Sequence, residues 1–139
     1  MSRFGLRRAI ISEKPPLVAS GHPNDLLNHR CLRFRIGDDT VYRWEFDQHG
    51  EEIAVDVPGT LTFDDSRSMT LLLQAGAGLM YAPEPLLAPL IADGRVRCVL
   101  KDWSSPGPGF YIYYSSRRQL PAGLRLLTNL VRELRPLGL

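Results

Sequence analysis

A mixed α/β domain with both parallel and antiparallel strand pairing is the fold class that the sequence predicts. Three observations predict it: short runs in which apolar and charged residues alternate, longer runs in which apolar residues recur every three or four positions, and Gly, Pro, Asp and Asn clusters between them. Residues Leu61 to Pro83, LTFDDSRSMTLLLQAGAGLMYAP, carry all three within one stretch. At 139 residues the chain has room for one hydrophobic core and little room for two. Apolar residues at 44% and charged residues at 23% indicate neither disorder nor a coiled coil.

Arg7 to Ser12, RRAIIS, reads as a short strand, and Glu13 to Pro23, rich in Pro and Gly, as a loop. Asn24 or Asp25 then caps a short helix through Leu26, Leu27 and Asn28. Cys31 to Ile36 alternates, with Leu32, Phe34 and Ile36 on one side and Arg33 and Arg35 on the other, as a half-buried strand does. Tyr42, Trp44 and Phe46, then Ile53, Val55 and Val57, flank Asp47-Gln48-His49-Gly50 and predict an antiparallel hairpin. Its aromatic stripe suits core packing better than base stacking, because Arg43 and Glu45 between the rings nearly cancel in charge.

Leu61 and Phe63 continue as a strand into Asp64, Asp65 and Ser66, whose side chains can accept hydrogen bonds from the free amides of a first helical turn. Met69, Leu72 and Leu73 share one face of that helix. Gly76 and Gly78 offer the positive φ that ends it, and Leu79 to Ala82 form an apolar strand fit to be covered on both faces. Glu84 to Ala92 is helical by the spacing of Leu86, Leu87, Leu90 and Ile91, and Asp93-Gly94 stops it. Val96, Cys98 and Leu100 make a strand, Trp103 to Pro108 an irregular loop, and Phe110 to Tyr114 a β-prone run. Pro121 to Arg135 is a helix whose Leu124, Leu127, Leu130, Val131 and Leu134 form a stripe that needs a partner surface.

Several function classes are poorly served by these residues. No apolar run spans a bilayer and Met1 to Lys14 lacks the form of a signal peptide, so a cytoplasmic protein is expected. Cys31 and Cys98 lack CxxC spacing and read as buried thiols. The net charge of +2 announces no nucleic-acid surface, although Lys14 and Lys101 are the only lysines among 17 basic residues. His22, His29 and His49 show no metal-ligand spacing, and no serine sits in a GxSxG elbow. Asp64-Asp65 reads as a helix cap before it reads as an acid/base pair. Gly76-Ala77-Gly78 follows a helix and lacks the third glycine of a dinucleotide loop. No helix-turn-helix can be placed.

The segments DLLNHRCLRFR, YRWEF, EEIAVDVPGTLTFDDS, LLLQAGAGLMYAPEPLLAPLIADGRVRCVLKDW and FYIYYSSRRQLPAGLRLL together resemble the C-terminal effector-binding domain of LysR-type transcriptional regulators. The resemblance runs in order from about Arg7 to Arg135 and rests on the patterns AGxGxxYxPE, LIADGRVxxVLxDW and YYSSRRQxPxxLR. Pro16, where the family often has an aromatic residue, and Ala77 and Ala82, where larger apolar residues are common, depart from it.

The resemblance implies a periplasmic-binding-protein-like (type 2) half: a mixed sheet with flanking helices and a C-terminal helix. It implies one truncated effector-binding domain over residues 1–139, with crossover strands at 7–12 and 109–114, a second subdomain at 24–108 and a terminal helix at 119–135. The winged helix-turn-helix and most of the first subdomain would be missing. By matching position, the effector contacts are Ser12, Phe34, Arg35, Thr62, Phe63 and Asp64. The implied partner is a small-molecule effector, anionic or carboxylate compounds included, with no cofactor, no catalysis and no membrane. Full-length relatives bind DNA, whereas this chain would make no direct DNA contact. The uncovered terminal stripe and crossover edges predict a homodimer. A non-sensing module that pairs with itself or with full-length regulators is the alternative.

Overall fold

The computed structural model describes residues 6–12, 21–104, 106–107 and 121–134. In chain order they form β1 (Leu6–Ser12), a 3-10 turn (Pro23–Asn28), β2 (Cys31–Ile36), β3 (Thr40–Val41), β4 (Trp44–Gln48), β5 (Glu51–Val55) and β6 (Thr62–Phe63). There follow α1 (Ser66–Gln74), β7 (Leu79–Pro83), α2 (Glu84–Ala92), β8 (Arg97–Val99), a 3-10 turn (Lys101–Trp103), β9 (Pro106–Gly107) and α3 (Ala122–Leu134). Phe110 to Tyr114, expected as a strand, lies outside the described residues.

Among the described residues the sheet runs β3-β2-β7-β1-β8, with β6 also on β2 and β9 on β1, while β4 and β5 form a separate two-stranded ribbon. β2 runs parallel to β6 and β7, and β1 runs antiparallel to β7, β8 and β9, so both kinds of pairing occur. β2 changes partner along its length, from β7 at Cys31 and Leu32 to β6 at Arg33 and Phe34 and β3 at Arg35 and Ile36.

The two-residue period of a strand sends alternate side chains of β7 to opposite faces of the sheet. Met80 and Ala82 join Leu32, Met69, Leu73, Leu87 and Val96 in a core under α1 and α2. Leu79 joins Leu26, Cys31, Trp44, Phe46, Val55, Val57 and Trp103 in a second core under the hairpin, with Tyr81 packed against it. Each large side chain so buried contributes about 1.5–3 kcal/mol. The apolar run of β7 is covered on both faces, and the aromatic stripe of the hairpin is core, as the sequence predicts. The hairpin pairs Trp44 with Val55 and closes on His49 and Gly50 at φ 53° and 86°, the left-handed pair that a two-residue loop requires.

Several local expectations are corrected. The first 3-10 turn is capped by His22, whose Nδ1 accepts from the Asn24 amide at 3.2 Å, while the Asp25 carboxylate accepts from the His22 amide at 3.1 Å. Neither Asn24 nor Asp25 is the cap; an imidazole nitrogen does the work of a carboxylate oxygen. β2 does not alternate cleanly: Cys31 and Leu32 are both buried and Arg35 and Ile36 both exposed, because the strand leaves the centre of the molecule as it changes partner. Gly76 takes φ 72° and ends α1, but Gly78 has no positive φ. A Cβ on Gly78 would lie 2.7 Å from the Arg30 carbonyl oxygen, so it is glycine because two backbones meet there. The strand expected through Leu100 stops at Val99, since Leu100 is left-handed at φ 54°. The loop expected from Trp103 holds the end of a 3-10 turn and the short β9. On α3, Leu127, Leu130 and Leu134 are 52%, 49% and 67% exposed, so most of the terminal stripe lies open as predicted.

Candidate functional site

The parallel strands β2, β6 and β7 end at Ile36, Phe63 and Pro83, and α1 and α2 begin just after β6 and β7. The crevice beyond the carboxyl ends of parallel strands is where an open α/β sheet binds ligands. A cleft of about 270 Å³ opens there, walled by Phe34 and Ile36 of β2, Met80 to Pro83 of β7, Ser66 and Met69 of α1, Leu86 of α2, and Tyr42 and Trp44.

Tyr81 organises one wall. Its ring stacks on Trp44 at 5.5 Å and on Tyr42 at 6.1 Å, and meets Phe46 edge-on at 5.8 Å. Its hydroxyl donates to the Glu45 carbonyl at 2.6 Å, and the Tyr42 hydroxyl donates to the Glu45 carboxylate at 2.8 Å. Aromatic rings held in offset and edge-on contact keep a fixed shape, which suits them to be the wall of a binding site.

The β2/β6 pairing brings Phe34, Arg35, Thr62, Phe63 and Asp64 together, with Phe34 opposite Phe63. Phe34 lines the cleft. The Arg35 guanidinium contacts Asp39 at 3.0 Å and Asp64 at 3.5 Å, and the Thr62 hydroxyl accepts from Arg33 Nε at 3.1 Å. Ser12 ends β1, where its backbone pairs with Arg97 of β8; its side chain lies outside the described residues. The cap of α1 is Asp65, whose Oδ1 accepts from the Ser68 amide at 2.8 Å. That bond holds the Asp65 carboxyl below its usual range. Asp64, one residue earlier, pairs with Arg35 instead.

Sequence reasoning missed Ile36, Tyr42, Trp44, Met80, Tyr81 and Leu86 as cleft residues. The signal was present for Ile36, which shares the side of Phe34 in the alternation. The hairpin aromatics were read as core, which Trp44 and Phe46 are, without the inference that a core wall can also face a cleft.

The thiols supply no activated nucleophile: burial pushes Cys31 up to about 12, and burial followed by the Glu84 charge raises Cys98. Among the described residues, no group of three or more His, Cys, Asp or Glu side chains could hold a metal ion. No helix there is long and apolar enough to cross a membrane.

A family model described as the LysR substrate binding domain matches residues 8–136. The chain is 36% identical over 111 residues to an uncharacterized HTH-type transcriptional regulator of Escherichia coli (strain K12), YcaN, covering 80% of this chain and 36% of that protein. It is 32% identical over 108 residues to a putative LysR family substrate binding domain-containing protein of the same organism, YagP, covering 77% and 79%. Among solved structures, the regulatory domain of a variant of AphB from Vibrio vulnificus matches with a TM-score of 0.74 at 22% identity, over 95% of this chain and 68% of that one. The regulatory domain of CrgA from Neisseria meningitidis matches with a TM-score of 0.68 at 22% identity, over 93% and 66%. These two likenesses establish the periplasmic-binding-protein-like fold. The chain spans 36% and 38% of the length of the first two curated relatives, both named as transcriptional regulators.

Proposed function

The chain belongs to the LysR substrate-binding-domain family, and from that premise we propose that it is the effector-sensing and dimerising domain of a LysR-type transcriptional regulator. The observation that carries this reading is the cleft at the carboxyl ends of β2 and β7, concave, largely apolar and walled by stacked rings. In this proposal the chain performs no chemistry. DNA contact belongs to the parts of the relatives that it does not span. In this proposal β1 is the first crossover strand, the described residues of 24–108 belong to the second subdomain and α3 to the terminal helix, while the second crossover expected at 109–114 lies outside the described residues. Phe34 contacts the effector, while Arg35, Thr62, Phe63 and Asp64 shape the rim, with Ser12 at the end of the first crossover.

Thermal-shift screening of the whole chain against a panel of aromatic and aliphatic compounds, charged and neutral, tests this. The expected result is a raised melting temperature with a subset sharing one scaffold. A ligand bound at one hundred times its Kd stabilises by about 2.7 kcal/mol, a shift of several degrees in a domain of this size. A panel without effect sinks the sensing role.

The open apolar face of α3 favours a second reading, a module that pairs with itself or with full-length regulators without sensing. Co-purification of a full-length relative, undiminished by substitutions in the cleft and lost with Leu127→Glu, would favour it.

A further inference from the structure

Taking the cleft as the effector site, we infer that its ligand is an uncharged, largely apolar ring compound and that carboxylates are disfavoured. The argument begins with what the walls lack. Phe34, Ile36, Met80, Ala82 and Leu86 present carbon, and beyond the tyrosines and the indole N–H of the buried Trp44 the polar side chain in the lining is Ser66 at the exposed start of α1. The hydroxyls of Tyr42 and Tyr81 already donate to Glu45.

A carboxylate leaving water needs a cation or several aimed donors to replace its hydration. The guanidinium nearest in sequence to the cleft-lining residues of β2 is that of Arg35, which lies outside the lining and contacts two carboxylates, Asp39 and Asp64. Arg33 Nε donates to Thr62, and Arg43 donates to the Ala54 carbonyl at 3.3 Å. Along the chain around Phe34, Tyr42 and Ser66 the charges balance, with Asp38, Asp39, Glu45, Asp64 and Asp65 against Arg30, Arg33, Arg35, Arg43 and Arg67, so no excess of cations draws an anion in. Desolvation of an anion therefore goes uncompensated at the cleft walls.

What the walls offer is flat area. Tyr81 lies within 15° of parallel to the buried Trp44 and within 24° of parallel to Tyr42, a rigid stack whose tyrosine rings border the cleft beside the flexible thioethers of Met69 and Met80. A volume of about 270 Å³ suits one or two fused rings.

Isothermal titration of the whole chain at pH 7 with 2-naphthol, 2-naphthoate and 2-naphthylmethylamine separates the classes on a constant ring. The expected result is that naphthol binds at least tenfold tighter than naphthoate. Ile36→Glu and Leu86→Glu should each weaken naphthol at least tenfold, while Leu27→Glu, at a residue 55% exposed and outside the lining, leaves it unchanged. Ile36 and Leu86 are 46% and 41% exposed, so both variants should fold, which circular dichroism checks. Tighter binding of naphthoate or of the amine, still lost in the Ile36 and Leu86 variants, overturns the ligand class and leaves the cleft as the site. Binding of none of the three, or binding those variants do not alter, overturns the cleft reading itself.

Discussion

Gly59 and Gly78 sit where a single added carbon would strike backbone: 2.2 Å from the Cys31 carbonyl oxygen for Gly59, 2.7 Å from that of Arg30 for Gly78. Gly78→Ala should cost about 1–3 kcal/mol in urea denaturation, the usual price of overpacking, whereas Gly37→Ala, which meets nothing within 4 Å, should change little. Asp65 and Asp64 give a second contrast. The folded-state pKa of Asp65 is lowered by its bond to the Ser68 amide. Its stabilising effect is therefore complete above the unfolded value near ~3.9 and is lost as pH falls through the lower folded value. Asp65→Ala should lower the melting temperature at pH 7, with the gap to wild type closing as pH drops below about 4. Asp64→Ala should matter less, because its exposed pair with Arg35 is weak and Arg35 keeps Asp39. Adjacent carboxylates before a helix signal a cap in sequence; which of the two holds it depends on backbone dihedrals that composition does not encode. The same limit hid His22 behind Asn24 and Asp25, and hid the reason for Gly78.

Helices α1, α2 and α3 were legible in the sequence because each repeats its apolar residues at helical spacing, and the hairpin was legible because its strands alternate around His49-Gly50. β2 was less so: alternation predicts a strand with one buried side, and a strand that changes neighbours has a buried end instead. α3 offers the test at this level. Its exposed leucines stabilise little within one chain but would bury apolar area between two. Sedimentation equilibrium should find a mass that rises with concentration in wild type and stays monomeric in Leu127→Glu/Leu130→Glu, with the melting temperature at low concentration nearly unchanged. A monomer in both proteins would remove the dimerising role.

At the scale of the whole molecule, two cores share one strand, since β7 sends Met80 and Ala82 to one and Leu79 to the other. They should therefore unfold together. Met80→Ala, expected to cost about 2–5 kcal/mol, and Trp44→Ala, about 3–5 kcal/mol, act on opposite faces of the sheet. Each should move a single urea transition without changing its slope; two resolved transitions in either variant would contradict the shared core. The mixed class was readable from local patterns. The strand order was not, because parallel pairing joins β2 to β6 and β7 across an intervening hairpin and helix, and nothing in a local window specifies such partners. The cleft went unseen for the same reason, being made by residues from five elements and the turn before the hairpin that only this order brings together.

The chain has two tryptophans, Trp44 and Trp103, and they share one buried core, yet only Trp44 borders the cleft. With Trp103→Phe the molecule would emit from a single indole set against the site, with the Tyr81 ring 5.5 Å away. Trp44 is itself buried, so an occupant that shifted the Tyr81 ring stacked on it should change the colour and yield of that light. The protein thus carries a built-in optical gauge of its own occupancy, readable without attaching a dye.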